Sequence, residues 1–248
     1  MSEEALRAEL VRRSRDLHAR GWVANHDGNL TARLGDDRFL ATPTAVSKGA
    51  VGPEMLIVVD GSGAVVQGTR LGFSELKLHL AAYRTRADVQ CVVHAHPPTA
   101  TGFAVAGQAL GPPFMAEPIV SLGPRIPLVP FGLPGAPELN AALGDALADA
   151  DVVMLQNHGV LAVGPDLETC VLRLELLEHL CKVALVARQL GGPVPLPDAV
   201  VQTLADKHRS LFPRTGAGPA TVPNETPASA PAASAHDLVA AALSRFQG

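Results

Sequence analysis

Between residues 3 and 20, apolar side chains recur at Leu6, Leu10, Val11 and Leu17 among Arg and Glu, which is helical spacing. Ser2 precedes the run as a cap and Gly21 stops it, so an amphipathic first helix is predicted. The pattern then changes to alternation. NLTARL and RFLA flank Gly35-Asp36-Asp37, while MLIVVD and AVVQG flank Gly61-Ser62-Gly63, predicting antiparallel hairpins. Helical spacing returns in ELKLHLAAYRTR, with Ser74 placed as its N-cap and Glu75 in its first turn. DVQCVV is a short, β-rich apolar run and reads as a buried strand that delivers His94 and His96 at its C-terminal end. A helix over 98–106, a strand at 126–129, a helix over 137–148 and the strand DVVMLQN follow. Gly159 turns the chain into VLAV, and a long core-facing helix covers 166–190.

Together these elements predict one α/β domain over residues 1–212, with a central, mainly antiparallel β-sheet flanked by helices. From 213 to 235, Pro, Ala, Ser, Thr and Gly dominate, too little apolar surface to offset ordering entropy, which predicts a linker. HDLVAAALSRFQG, residues 236–248, resumes helical spacing and predicts a C-terminal helical tail.

Composition narrows the function. A chain of 248 residues with 47% hydrophobic content can bury a core without disulfide staples. Cys91, Cys170 and Cys181 are odd in number and lie in apolar surroundings, so reduced, buried thiols are expected. The net charge is -4 and the 20 Lys and Arg are scattered, which argues against a nucleic-acid or membrane-surface partner and for a small-molecule one. The charged start and the lack of a membrane-length apolar run lead to the expectation of a cytoplasmic protein.

His94 and His96 in CVVHAHPPTA stand two apart in a strand and so project from one face, and the Pro97-Pro98 pair places them at the strand's mouth. His158, in QNHGV, stands at the end of another apolar strand. Three imidazoles from two neighbouring strand ends make a metal set with an open fourth position, the layout of catalytic zinc. From spacing alone, hydrogen-bonded structural histidines satisfy the same pattern. Glu75 is either a partner of that metal or a dipole-compensating surface residue, and Asn29 in GNLT is either functional or a turn residue.

The ordered set GNLTAR, ATPTAV, FSELKLHLAAY, VVHAHPPTA and LQNHGVLAV, spread over roughly residues 5–210, resembles the class II aldolase and adducin family, the group of fuculose-phosphate aldolase. The resemblance implies the head fold of that family and one Zn2+, with Mn2+ or Co2+ as alternatives, on His94, His96 and His158. It implies a Lewis-acid metal that stabilises the enediolate left by carbon-carbon cleavage, with Glu75 as general acid/base. Epimerases of the family carry Asp at that position, so Glu points to the lyase branch. A homotetramer with its site between subunits is implied as well.

The family's phosphate site maps onto Asn29, Thr44 and Ser74, but Ala45 replaces a glycine and Phe73 replaces a serine. The change removes a donor and adds an expected aromatic wall, so either Lys48 helps hold a phosphate or the substrate carries none. Family aldolases protonate the aldehyde oxygen with tyrosines of a neighbouring subunit. Here the single tyrosine, Tyr83, lies in a core-facing helix, and the corresponding loop, PPFMAEPIV, offers Met115 and the carboxylate of Glu117. Two enzymatic readings follow: a zinc-dependent aldolase acting on a hydroxy ketone or sugar-phosphate-like substrate, and a decarboxylase of a keto or aromatic hydroxy acid, its carboxylate held by Arg125 or Lys48. A third, an adducin-like interaction module, has no physical need for the three histidines and Glu75.

Overall fold

A computed structural model describes residues 2–214. The tail expected at 236–248, and all but the first two residues of the linker expected at 213–235, lie outside the described residues.

Eight strands form one sheet: β1 (Asn29–Gly35), β2 (Arg38–Ala41), β3 (Ile57–Asp60), β4 (Val65–Gln67), β5 (Cys91–Ala95), β6 (Leu128–Val129), β7 (Val152–Leu155) and β8 (Gly159–Gly164). Their order is β4-β3-β2-β1-β5-β8-β7-β6, and every neighbouring pair is antiparallel except β6 with β7. The expected mainly antiparallel sheet is therefore present. β5 lies in the middle, its Val93 opposite Leu30 of β1 on one side and Ala162 of β8 on the other. A strand flanked on both sides and covered on both faces is apolar throughout, which is why DVQCVV shows no alternation of polar residues.

Side chains alternate between two cores. Cys91, Val93 and Ala95 of β5 join the core under α1 (Glu3–Ala19), α3 (Pro98–Val105) and α6 (Leu167–Gln189). Val92 joins the opposite core under α2 (Leu76–Thr85) and α5 (Pro137–Leu147), and His94, two residues on, shares that face. The three cysteines are buried free thiols, as expected. Ser2 caps α1 by accepting the Ala5 N–H at 3.2 Å. At the far end of the sheet the buried Asp151 carboxylate joins Arg86, at 2.5 Å, to Arg173, at 2.7 Å.

Two helices were not predicted: α4 (Ala116–Leu122), within the stretch read as a loop, and α7 (Asp198–Leu211), which packs on α4. Ser74 is not the cap of α2. The N-cap position belongs to Glu75, and the Ser74 hydroxyl donates to the Glu75 carboxylate at 2.6 Å instead of accepting a backbone N–H. The strand DVVMLQN stops at Leu155 because Asn157 turns the chain with φ 57. Among the described residues no helix is long and apolar enough to cross a membrane.

Candidate metal centre

β5 carries His94 near its C-terminal end, opposite Asn29 on one side and Leu161 on the other. His96 lies just past the strand end, where its N–H donates to Trp22 O at 2.8 Å. Pro97 and Pro98 then start α3, whose first N–H groups, on Thr99 and Ala100, donate to the buried Glu178 carboxylate of α6 at 2.8–3.2 Å. A buried carboxylate on a helix N-terminus fixes the chain direction immediately after the two histidines. His158 arrives from the β7–β8 turn, closed by its own N–H to Leu155 O at 3.1 Å. Gly159 is required there by space: a Cβ would lie 2.3 Å from His96 Cδ2 and 2.7 Å from Ala95 O.

The three rings converge. Centroid distances are 4.8 Å for His94–His96, 4.6 Å for His94–His158 and 5.3 Å for His96–His158, and one nitrogen of each lies within 4.8 Å of the others. His94 Nδ1–H donates to Val160 O at 2.9 Å, which commits that nitrogen as donor and leaves the Nε2 lone pair facing inward. His96 Nε2 stands 3.0 Å from it. Burial, reinforced by the neighbouring imidazoles, holds the pKa of His94 well below the ordinary histidine range, and burial lowers that of His96 too. Three converging imidazoles, with burial favouring the neutral form of His94 and His96, are a donor set that suits a divalent, borderline-soft ion such as zinc.

Glu75 closes the site, with Oε1 at 3.7 Å from His158 Nε2. Its other oxygen, Oε2, accepts from Ser74 at 2.6 Å and from Asn29 Nδ2 at 3.5 Å. Burial works to raise the Glu75 pKa, but the neighbouring His158 ring, the hydrogen bond from Ser74 and the nearby His94 outweigh it, holding the carboxyl well below its usual range. Glu75 is therefore ionised.

The other expected substrate-side residues divide. Asn29, Ser74 and Glu75 meet at one carboxylate, and Asn29 Oδ1 is buried without a partner. Ala45 is exposed and keeps φ 55, the left-handed conformation a glycine would favour, beside half-buried Thr44. Phe73, expected as an aromatic wall, packs in the α2–α5 core, edge-on to His79 at 5.2 Å. Lys48 is also buried, and its Nζ donates to His26 O at 3.0 Å and Val46 O at 2.9 Å. Burial pushes its pKa down to about 8 against the opposing pull of Asp27 and Glu75. Tyr83 is buried with its hydroxyl 2.8 Å from Thr31 Oγ1, itself 2.8 Å from His79 Nδ1. Glu117 is exposed in the first turn of α4, and Arg125 is exposed and paired with Asp149 at 2.7 Å. Neither joins the histidines. Two residues at the site were missed: Asp27, 3.5 Å from His96 Nδ1, and Glu178. Asp27-Gly28 reads in sequence as turn punctuation, and only folding reveals that the turn crosses His96.

Comparison with known proteins gives a consistent picture. A family model described as the Class II Aldolase and Adducin N-terminal domain matches residues 8–185. A 3-oxo-tetronate 4-phosphate decarboxylase of Escherichia coli (strain K12) is 31% identical over 189 residues, 74% of this chain and 88% of the relative. A 5-deoxy-D-ribulose 1-phosphate aldolase of Bacillus thuringiensis serovar kurstaki is 27% identical over 202 residues, 81% of this chain and 94% of the relative. The solved structure of an L-fuculose 1-phosphate aldolase superposes with a TM-score of 0.76 at 28% identity, covering 84% of this chain and 98% of that one.

Proposed function

The chain belongs to the class II aldolase and adducin family, and on that premise we propose that it is a metal-dependent carbon-carbon lyase of the aldolase type acting on a hydroxy ketone or sugar-phosphate-like substrate. The observation that carries the reading is the convergence of His94, His96 and His158, with ligating atoms within 4.8 Å, beside an ionised Glu75. These three side chains would hold Zn2+, with Mn2+ or Co2+ as alternatives. An ion held there would supply Lewis acidity toward carbonyl and hydroxyl oxygens of the substrate.

The protein's part is proton traffic. Ser74 and Asn29 tie down Oε2 of Glu75, so Oε1, which faces His158, is the oxygen left to accept and return a proton. Aldol cleavage requires a proton to leave the substrate's hydroxyl and another to reach the carbon that loses its neighbour. A carboxylate that starts ionised serves both steps in that order. The relatives' names, a sugar-phosphate aldolase and a sugar-acid phosphate decarboxylase, support a small-molecule substrate, and a homotetramer and a cytoplasmic location are part of the same proposal.

Decarboxylation by the same groups is the second reading. It is favoured by Tyr83, the chain's single tyrosine, which is buried and hydrogen-bonded and so cannot protonate a departing aldehyde. The test is a panel of ketose phosphates, free hydroxy ketones and 3-oxo acids, with aldehyde and carbon dioxide assayed separately. Aldehyde release that vanishes in His94→Ala and falls about 10²–10⁴-fold in Glu75→Gln, with metal content retained in the latter, is expected. Turnover by metal-free protein refutes both readings, and carbon dioxide without aldehyde selects the second.

A further inference from the structure

The loop from Trp22 to Gly28 is built around His96. Its Trp22 carbonyl accepts the His96 N–H at 2.8 Å, and its far end runs into β1, where Asn29 pairs with His94. Between these anchors the loop closes on itself through Asp27 N–H to Ala24 O at 2.8 Å, with Asn25 at φ 48 and Gly28 at φ 68. Gly28 has no room for a side chain, since a Cβ would lie 2.3 Å from Val23 Cγ1 and 3.1 Å from His94 O. That geometry sets Asp27 Oδ2 3.5 Å from His96 Nδ1, on the side of the ring away from the other two histidines.

The loop is braced from below. Lys48 is 1% exposed, and its ammonium donates to His26 O, the residue before Asp27, and to Val46 O in the neighbouring loop. A buried ammonium bonded to two carbonyls is stable only where negative charge lies close, and Asp27 and Glu75 supply it.

We propose that Asp27 is the positioning residue of His96, holding its Nδ1–H outward so that Nε2 faces the other imidazoles, and that Lys48 keeps Asp27 in place. His94 is oriented in the same sense by the neutral Val160 carbonyl. His96 receives the Asp27 carboxylate at Nδ1, the nitrogen turned from His94, and a carboxylate there both fixes the ring and raises its donor strength. The inference rests on the metal reading of the three histidines.

The test compares wild type with Asp27→Asn, Lys48→Met and the double variant. Metal-free protein is titrated with zinc against a chromophoric chelator, and the visible absorption of the cobalt-loaded form is recorded. Asp27→Asn is expected to weaken zinc binding about 10–100-fold and to shift the cobalt bands, because the His96 ligand field changes. The side chain is half-exposed, so the variant is expected to fold, and apo-protein melting is recorded so that the loss of affinity is read on folded protein. A loss under threefold, or unmoved cobalt bands, overturns the role of Asp27. Lys48→Met is expected to weaken binding as well, with the double variant no worse than the more affected single one; additive losses overturn the role of Lys48. Failure of the metal reading looks different, because then wild type itself binds no zinc.

Discussion

Gly159→Ala tests whether the histidine cluster works as a unit of fixed shape. The added Cβ would lie 2.3 Å from His96 Cδ2, whereas unstrained carbon atoms sit about 3.5–4.0 Å apart, so roughly 1.2 Å must be found. The backbone cannot give it easily, because the second neighbour, Ala95 O at 2.7 Å, belongs to the strand pair in which Ala95 faces Val160. The His96 ring moves instead, and a displacement of about 1 Å at a reacting site costs on the order of 10²-fold in rate. Overpacking should cost about 1–3 kcal/mol of stability, a melting shift of a few degrees for a domain of this size. Gly102→Ala is the control, since a Cβ in that part of α3 meets nothing within 4 Å and replaces a helical glycine. Zinc titration, thermal melting and turnover are measured on both. Gly159→Ala with wild-type zinc affinity and rate would refute the steric reasoning.

Other expectations are independent of it. Lys48 has a folded pKa of about 8, below the roughly 10.4 of an unfolded lysine, so the unfolded chain binds more protons between those values. Stability should therefore rise with pH across that window by up to about 3 kcal/mol, a rise absent from Lys48→Met in denaturant titrations at stepped pH. Ala45→Gly relieves a left-handed alanine costing about 1–2 kcal/mol while adding about 0.4–1 kcal/mol of unfolded-state freedom, so a net gain of up to about 1.6 kcal/mol should appear in thermal melts. Asp151→Asn leaves Arg86 and Arg173 buried without their shared carboxylate and should cost about 3–5 kcal/mol by chemical unfolding. Asp149→Asn, which breaks an exposed pair with Arg125, should cost under about 1 kcal/mol. A free hydroxy ketone should show a higher kcat/KM than its phosphate, and the reverse order would contradict the charge argument made below.

What could be read from the chain alone follows a physical line. β5 and β8 were legible because continuous apolar runs bounded by Pro and Gly leave few alternatives, and α1 because its cap and stop agree with its period. His94 and His96 were legible as a pair because strand periodicity puts residues two apart on one side, whereas His158 stands in the β7–β8 turn, where only its place between an apolar strand and Gly159 marked it. α4 was missed since Pro118 falls inside a seven-residue helix, where local propensity argues against it and packing on α7 decides. Ser74 was misassigned because a serine before a helix suits a cap, yet a carboxylate one residue later competes for the same hydroxyl. The direction of the Phe73 ring was not legible, because sequence gives position and not direction; the ring packs among its neighbours on the α2–α5 core side. Asp27 and Lys48 owe their roles to contacts across loops, which no local pattern encodes.

The departures from the family pattern fall on one side of the site. His94, His96, His158 and Glu75 form a complete set, whereas the end expected to receive an anion has lost donors. The Ser74 hydroxyl is committed to Glu75, Asn29 turns its amide nitrogen to the same carboxylate, and the Asn29 atom left unpaired is an acceptor. Phe73 contributes no hydroxyl, and Lys48 spends two of its three N–H groups on carbonyls while lying out of solvent. Asp27 and Glu75 add negative charge close by. A phosphate dianion placed there would face two carboxylates with one buried ammonium to offset them, and unmade hydrogen bonds to a buried anion are costly. A hydroxyl or a short apolar group incurs neither penalty. The proposed function therefore leads to the prediction that the bond-breaking groups and the groups facing the substrate's tail are separate, and that the substrate is less charged than the sugar phosphates named for the relatives.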